Sequence, residues 1–174
     1  MNLREILMRF APAGFALSLA LALTASAGFS ATPQPLDPRA AALVGQGRAA
    51  LAAGNADGAI DAFEAALAVQ PGSTEVTLGL AEATRRIGLP GKALHYYREA
   101  IERDPRNFTA ISGEGVTLVE KGAIEKAKRN LARLQGTCGA SCAETQALAA
   151  AIARGPVERV VSADAVKPAP VVSN

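Results

Sequence analysis

Residues 56–72 read ADGAIDAFEAALAVQPG, and residues 90–106 read PGKALHYYREAIERDPR. Set one above the other, at a displacement of 34 positions, they share a pattern. Ala59 falls on Ala93, Phe63 on Tyr97, Ala66 on Ala100 and Pro71 on Pro105. Outward from this pair the register holds. Gly54, Gly88 and Gly122 keep the same spacing, and so do the small residues Gly47, Ala81 and Gly115. A third copy continues through Ala127, Leu131, Leu134 and Gly139. One coincidence of this kind is easy by chance; several sets in one register are not.

Each recurring position has a physical reason. Small residues such as Gly47 and Ala59 suit places where two helices approach closely, since overpacking there costs about 1–3 kcal/mol. Phe63 and Tyr97 are large enough to fill the gap between one helix pair and the next. Gly54, Gly88 and Gly122 suit the left-handed residue that ends a helix. Pro71 and Pro105 end the following helix and turn the chain. The spacing predicts helices near 38–53, 56–69, 74–87, 90–103, 108–121 and 124–136. Asp37 is the expected N-cap of the first, with Pro38 at its first position. A seventh helix is expected from Ser141 to Arg154, started by a capping box of Ser141 and Glu144.

Composition agrees with helices. Aromatic residues make up 4% of the chain and tryptophan is absent, so a core must be built from alanine and leucine in closely spaced helices.

A 34-residue helix–turn–helix unit with small, small, aromatic, small and proline at these offsets resembles the tetratricopeptide repeat. Residues 56–72 and 90–106 look like second halves of the consensus unit. The third unit departs from it, with Leu131 for the aromatic, Leu134 for the small residue and Gly139 for the proline. The bulky first-helix residue is Leu43 in unit one and Ile111 in unit three, but Thr77 in unit two. The resemblance covers about residues 40–139. It implies an all-α, right-handed α-solenoid of about three helix hairpins, here with a C-terminal capping helix that shields the end of the array.

The resemblance also implies that the first helices of successive units line a concave groove that holds a protein or peptide. Placed on this sequence, the inward positions are Val44, Arg48 and Leu51, then Leu78, Glu82 and Arg85, then Ser112, Val116 and Val119. One subclass of the family clamps a terminal carboxylate with lysine and asparagine on these helices. Neither residue occupies those positions here, so that ligand class is not implied.

The ends of the chain read differently. Arg4 and Arg9 precede an apolar run from Phe15 to Leu23, and Ala25-Ser26-Ala27 offers a peptidase site. This is the pattern of an export signal over 1–27, cleaved after Ala27, and implies a periplasmic or secreted protein. The run is well short of the roughly 20 residues of a spanning helix, so no stable membrane insertion is expected after processing. Residues 28–37, with Pro33 and Pro35, read as a linker. The repeat domain with its capping helix spans 38–155. Residues 156–174 lack periodicity and read as a disordered tail.

A net charge of +2 argues against a partner bound by phosphate neutralisation, so no nucleic acid is expected. The clusters Arg85-Arg86 and Lys126-Lys128-Arg129 read as solvated helix faces. Cys138 and Cys142 are the only cysteines, and in an exported chain such a pair is expected to form a disulfide. Reduced thiols, or a redox-active pair in a thiol-disulfide active protein, are the alternatives. Zinc would need four ligands, and the chain has one histidine, His95. No phosphate loop or dinucleotide fingerprint is present. The sequence therefore reads as a binding scaffold or adaptor of the cell envelope, with no catalytic residue, cofactor or metal. A self-assembling structural component of an envelope apparatus is the further alternative.

Overall fold

The computed structural model describes residues 35–156. The expected export signal, most of the linker and the expected tail lie outside the described residues. Described here are seven helices: α1 (Pro38–Ala52), α2 (Ala56–Val69), α3 (Thr74–Arg86), α4 (Pro90–Arg103), α5 (Phe108–Glu120), α6 (Ile124–Thr137) and α7 (Ala143–Arg154). They belong to one unit that begins at Leu36. Among the described residues no helix is long and apolar enough to cross a membrane.

The helix ends follow local chemistry. Asp37 accepts a hydrogen bond from the Arg39 amide at α1, Asn55 from Gly58 at α2, Ser73 from Val76 at α3 and Asn107 from Ala110 at α5. Each satisfies one amide that the helix leaves unpaired. Gly54, Gly88 and Gly122 have φ of 78°, 78° and 74°, the left-handed conformation that closes α1, α3 and α5. The α7 start differs from expectation. Its N-cap is Cys142, with no side-chain cap bond, and the Ser141–Glu144 box does not form. The Cys138–Cys142 bridge and the Cys142 amide bond to the Gly139 carbonyl place Cys142, not Ser141, at the cap position.

Helices α1–α2, α3–α4 and α5–α6 form hairpins, and each hairpin packs on the next through α2–α3 and α4–α5. The first helices α1, α3 and α5 also touch one another in sequence, whereas among the described residues α2, α4 and α6 do not. The second helices are thus splayed and the first helices drawn together. This curves the stack with α1, α3 and α5 on its inner side. Helix α7 packs on both α5 and α6, as α3 packs on α1 and α2. It takes the place of the first helix of a fourth unit.

The seams between hairpins explain the small residues. Phe63 is 1% exposed. A Cβ on Gly47 would lie 2.7 Å from its ring, and one on Gly79 would lie 2.5 Å from it. The ring fills a slot between α1 and α3 that exists because both walls are glycine. Tyr97 lies in the same way against Gly113. The third seam is filled from the other side. Leu148 of α7 packs on Gly115, while Leu131, in register with Phe63, is half-buried. Thr77 is tolerated in the core because its hydroxyl donates to the Ser73 carbonyl at 3.0 Å.

Candidate functional site

The nine residues expected in the groove separate into three groups. Val44 and Val119 are 2% and 3% exposed, in the core rather than on the inner surface. This corrects the sequence reading, and the cause is rotational. The buried stripe of α1 runs through Ala40, Val44 and Gly47, and that of α5 includes Gly115, Leu118 and Val119. Leu51 and Leu78 are half-buried and pack against core clusters, one beside Val44 and Phe63 and the other beside Ala81 and Tyr97. Arg48, Glu82, Arg85 and Val116 lie where their side chains can shape the inner face, and Ser112, although buried, borders the cavity there.

Arg48 Nη2 meets Glu75 Oε1 at 2.5 Å and ties α1 to α3. Deeper in, Arg85 is held on two sides. Its Nε and Nη2 donate to Glu82 at 3.0 and 2.8 Å, and its Nη1 donates to Glu120 of α5 at 2.5 Å. Arg86 Nε donates to Glu82 at 2.7 Å and Arg86 Nη1 to the Leu51 carbonyl at 2.8 Å. Tyr97 Oη donates to Glu82 at 3.3 Å. Arg85 is therefore not a solvated surface charge but half-buried between two carboxylates. Two arginines face two carboxylates in this network, so its charge cancels.

The shifts follow. Burial works to raise the Glu82 carboxyl, but the hydrogen bonds and charges of Arg85 and Arg86 outweigh it and hold Glu82 below the usual carboxylate range. Burial works to lower the Arg85 guanidinium, and Glu82 and Glu120 overcome it, so its pKa is raised. Burial, then the Glu82 charge, pushes the Tyr97 phenol above its ordinary value.

Between this network and α7 lies a cavity of about 330 Å³. Its walls are Glu82 and Arg85 of α3, Tyr97 of α4, Thr109, Ser112, Gly113 and Val116 of α5, and Ala143, Glu144 and Ala147 of α7. The sequence reading found four of these and missed Tyr97, Thr109, Gly113 and the α7 residues. Extending the 34-residue register into α7 would have found Ala147, which follows Gly79 and Gly113.

Cys138 and Cys142 are joined in a disulfide with Cα atoms 5.8 Å apart. The bridge ties the end of α6 to the start of α7 beside the cavity. Glu144 Oε2 lies 3.0 Å from Cys142 Sγ. A bridged sulfur has no proton, so this is a contact and not a hydrogen bond. His95, exposed on α4, stacks obliquely on Tyr96 away from the cavity walls.

The family model described as tetratricopeptide repeat matches residues 13–74 and, overlapping them, 44–108. The first match begins inside the stretch read as an export signal. No curated protein matches the chain. The Sgt2 TPR domain from Aspergillus fumigatus is similar at 22% identity with a TM-score of 0.62, covering 82% of this chain and 95% of that one. The first TPR of Spaghetti (RPAP3), bound to the HSP90 peptide SRMEEVD, has 20% identity, a TM-score of 0.60, and coverage of 73% and 97%. The TPR2B domain of yeast Sti1, in a complex with pHsp70, has 16% identity, a TM-score of 0.60, and coverage of 68% and 98%. At these identities the likeness is one of fold.

Proposed function

This chain belongs to the tetratricopeptide repeat family, and from that premise we propose that it is a protein–protein interaction module which holds a peptide or helix of a partner against the inner face of α3, α5 and α7. One observation carries the reading: the inner layer carries an open depression with both apolar and polar walls, a shape that suits a segment laid along it rather than an enclosed small molecule. Two solved structures of the same fold are complexes, one with an HSP90 peptide and one with pHsp70, which supports a protein or peptide ligand in kind. The neutralised Arg85 and the lack of a lysine–asparagine clamp argue against the same ligand here.

The proposal extends to location: an exported protein of the envelope, on the strength of Arg4, Arg9, the Phe15–Leu23 run and the Ala25–Ala27 site. N-terminal sequencing of the protein from fractionated cells should begin at Gly28. A cytoplasmic protein with an intact N-terminus would end that part of the reading.

For the binding role, a photo-crosslinking residue is placed in turn at Val116, Ala147 and, on the exposed side of α2, Glu64. Adducts should form from the first two and not from the third. Equal capture from both sides, or none from the inner face, would remove the groove from consideration. A thiol-disulfide exchange role gains no support from the site: the α7 N-terminus beside Cys142 favours a thiolate and the Glu144 carboxylate opposes one.

A further inference from the structure

We infer that the cavity between α3, α5 and α7 receives a cationic side chain, lysine or arginine, of the partner's bound segment, with Glu144 as its counter-charge; this rests on the groove reading above. The charged groups of the cavity wall are Glu82, Arg85 and Glu144. Glu82 and Arg85 neutralise each other and are further tied to Arg86 and Glu120. Glu144 is half-buried and forms no ion pair among the described residues. It sits in the first turn of α7, whose terminus carries a positive dipole equivalent to roughly half a charge. That is less than the full charge of Glu144, so the α7 wall remains net negative.

The hydroxyls point to the same ligand class. Tyr97 Oη donates to Glu82. Ser112 Oγ donates to the Glu144 carbonyl at 3.0 Å, and Thr109 Oγ1 is turned to the Glu144 carboxylate at 3.5 Å. With their protons committed to these neighbours, the oxygens offer lone pairs to whatever enters. Arg85 commits three of its five protons to Glu82 and Glu120, which reduces what it can donate. A wall rich in acceptors and bearing one unmatched carboxylate suits a group that only donates, and ammonium and guanidinium are the side-chain groups of that kind. Val116, Ala143 and Ala147 supply apolar contact for the methylene stem. A volume of about 330 Å³ is near the lower limit for ligand pockets, enough for one or two side chains.

The test uses a random-peptide phage library selected on the full processed chain, with the best synthetic peptides measured by calorimetry. Enriched peptides should share a lysine or arginine. Replacing it with norleucine should weaken binding about tenfold. Glu144→Gln should weaken the parent peptide by a similar factor, and should not weaken the norleucine peptide further. Glu64→Gln should leave both unchanged. Peptides that bind, lose affinity to Val116→Trp and yet carry no shared cation would overturn this inference and leave the groove standing. So would equal binding to Glu144→Gln. If no peptide enriches, or Val116→Trp, which fills the cavity without changing its charge, binds as well as the parent, the groove reading fails and this one with it. The norleucine arm needs no protein variant and stays decisive if Glu144→Gln is poorly folded.

Discussion

The first and last seams of the stack solve one packing problem in two ways. Between α1 and α3 the filler is Phe63, an aromatic ring from the second helix of the earlier unit, seated on glycines of both neighbouring helices. Between α5 and α7 the filler on Gly115 is Leu148, a branched chain from the later helix, and a disulfide closes the neighbouring corner. A flat ring needs two walls without Cβ atoms and then locks both helices. A leucine is more adaptable, although Leu148 is buried as completely as the ring. The bridge supplies a constraint that packing at this end does not.

Cavity formation should separate the seams most. Phe63→Ala should cost about 4 kcal/mol and Leu148→Ala about 3 kcal/mol in urea unfolding. Equal or reversed losses would mean that the last seam bears as much of the stack as the first. Adding a methyl group should separate them in another way. Gly79→Ala drives a Cβ into the Phe63 ring, which has no room to turn, and about 2–3 kcal/mol should be lost. At Gly115 the Cβ meets the methyl groups and Cγ of Leu148, a buried but flexible branched chain that yields more readily than a ring, and Gly115→Ala should cost about 1 kcal/mol after its gain in helix propensity.

Opening the bridge should have an intermediate effect confined to one end. The closed loop is short, and Cys138→Ser with Cys142→Ser should lower stability by about 2 kcal/mol on the loop-entropy relation. Hydrogen exchange should quicken in α7 and not in α1. Uniform quickening would show that the two ends unfold as one unit.

The smallest effect concerns the middle of the array and pH. The folded Glu82 carboxyl lies below its ordinary value, so its stabilisation is present above the unfolded value of about pH 4.3 and is lost as pH falls through the folded one. At pH 7, Glu82→Gln should be less stable by about 1 kcal/mol, given that the group is part-exposed. That gap should narrow in the acid range and persist if some other contact is responsible.

Much of this molecule was legible before folding was considered. The 34-residue register, the left-handed glycines and the Asp37 cap place α1 to α6 to within a residue or two, because caps, turns and glycine conformation are decided by a few neighbouring atoms. The seventh helix was legible in existence but not in its start. A covalent constraint next to it, the Cys138–Cys142 bridge, fixes Cys142 as the cap in place of the Ser141–Glu144 pattern.

The inner face was legible only in part. Sequence periodicity specifies which helix faces inward, but a rotation of a few tens of degrees decides whether Val44 meets a ligand or Phe63. That rotation is set by packing against neighbouring helices. Sequence likewise placed Arg85 on the inner side without showing that Glu120, far along the chain, would neutralise it. It marked Glu144 as a cap residue, and only the docking of α7 on α5 turned that carboxylate toward a cavity where, among the described residues, no cation pairs with it. The amino-acid pattern thus determined the repeat, the helices and their order, since these depend on short-range sterics and spacing. The tertiary structure alone decided which charges are cancelled and which remain, since that depends on distances between residues that the chain brings together only when it stacks.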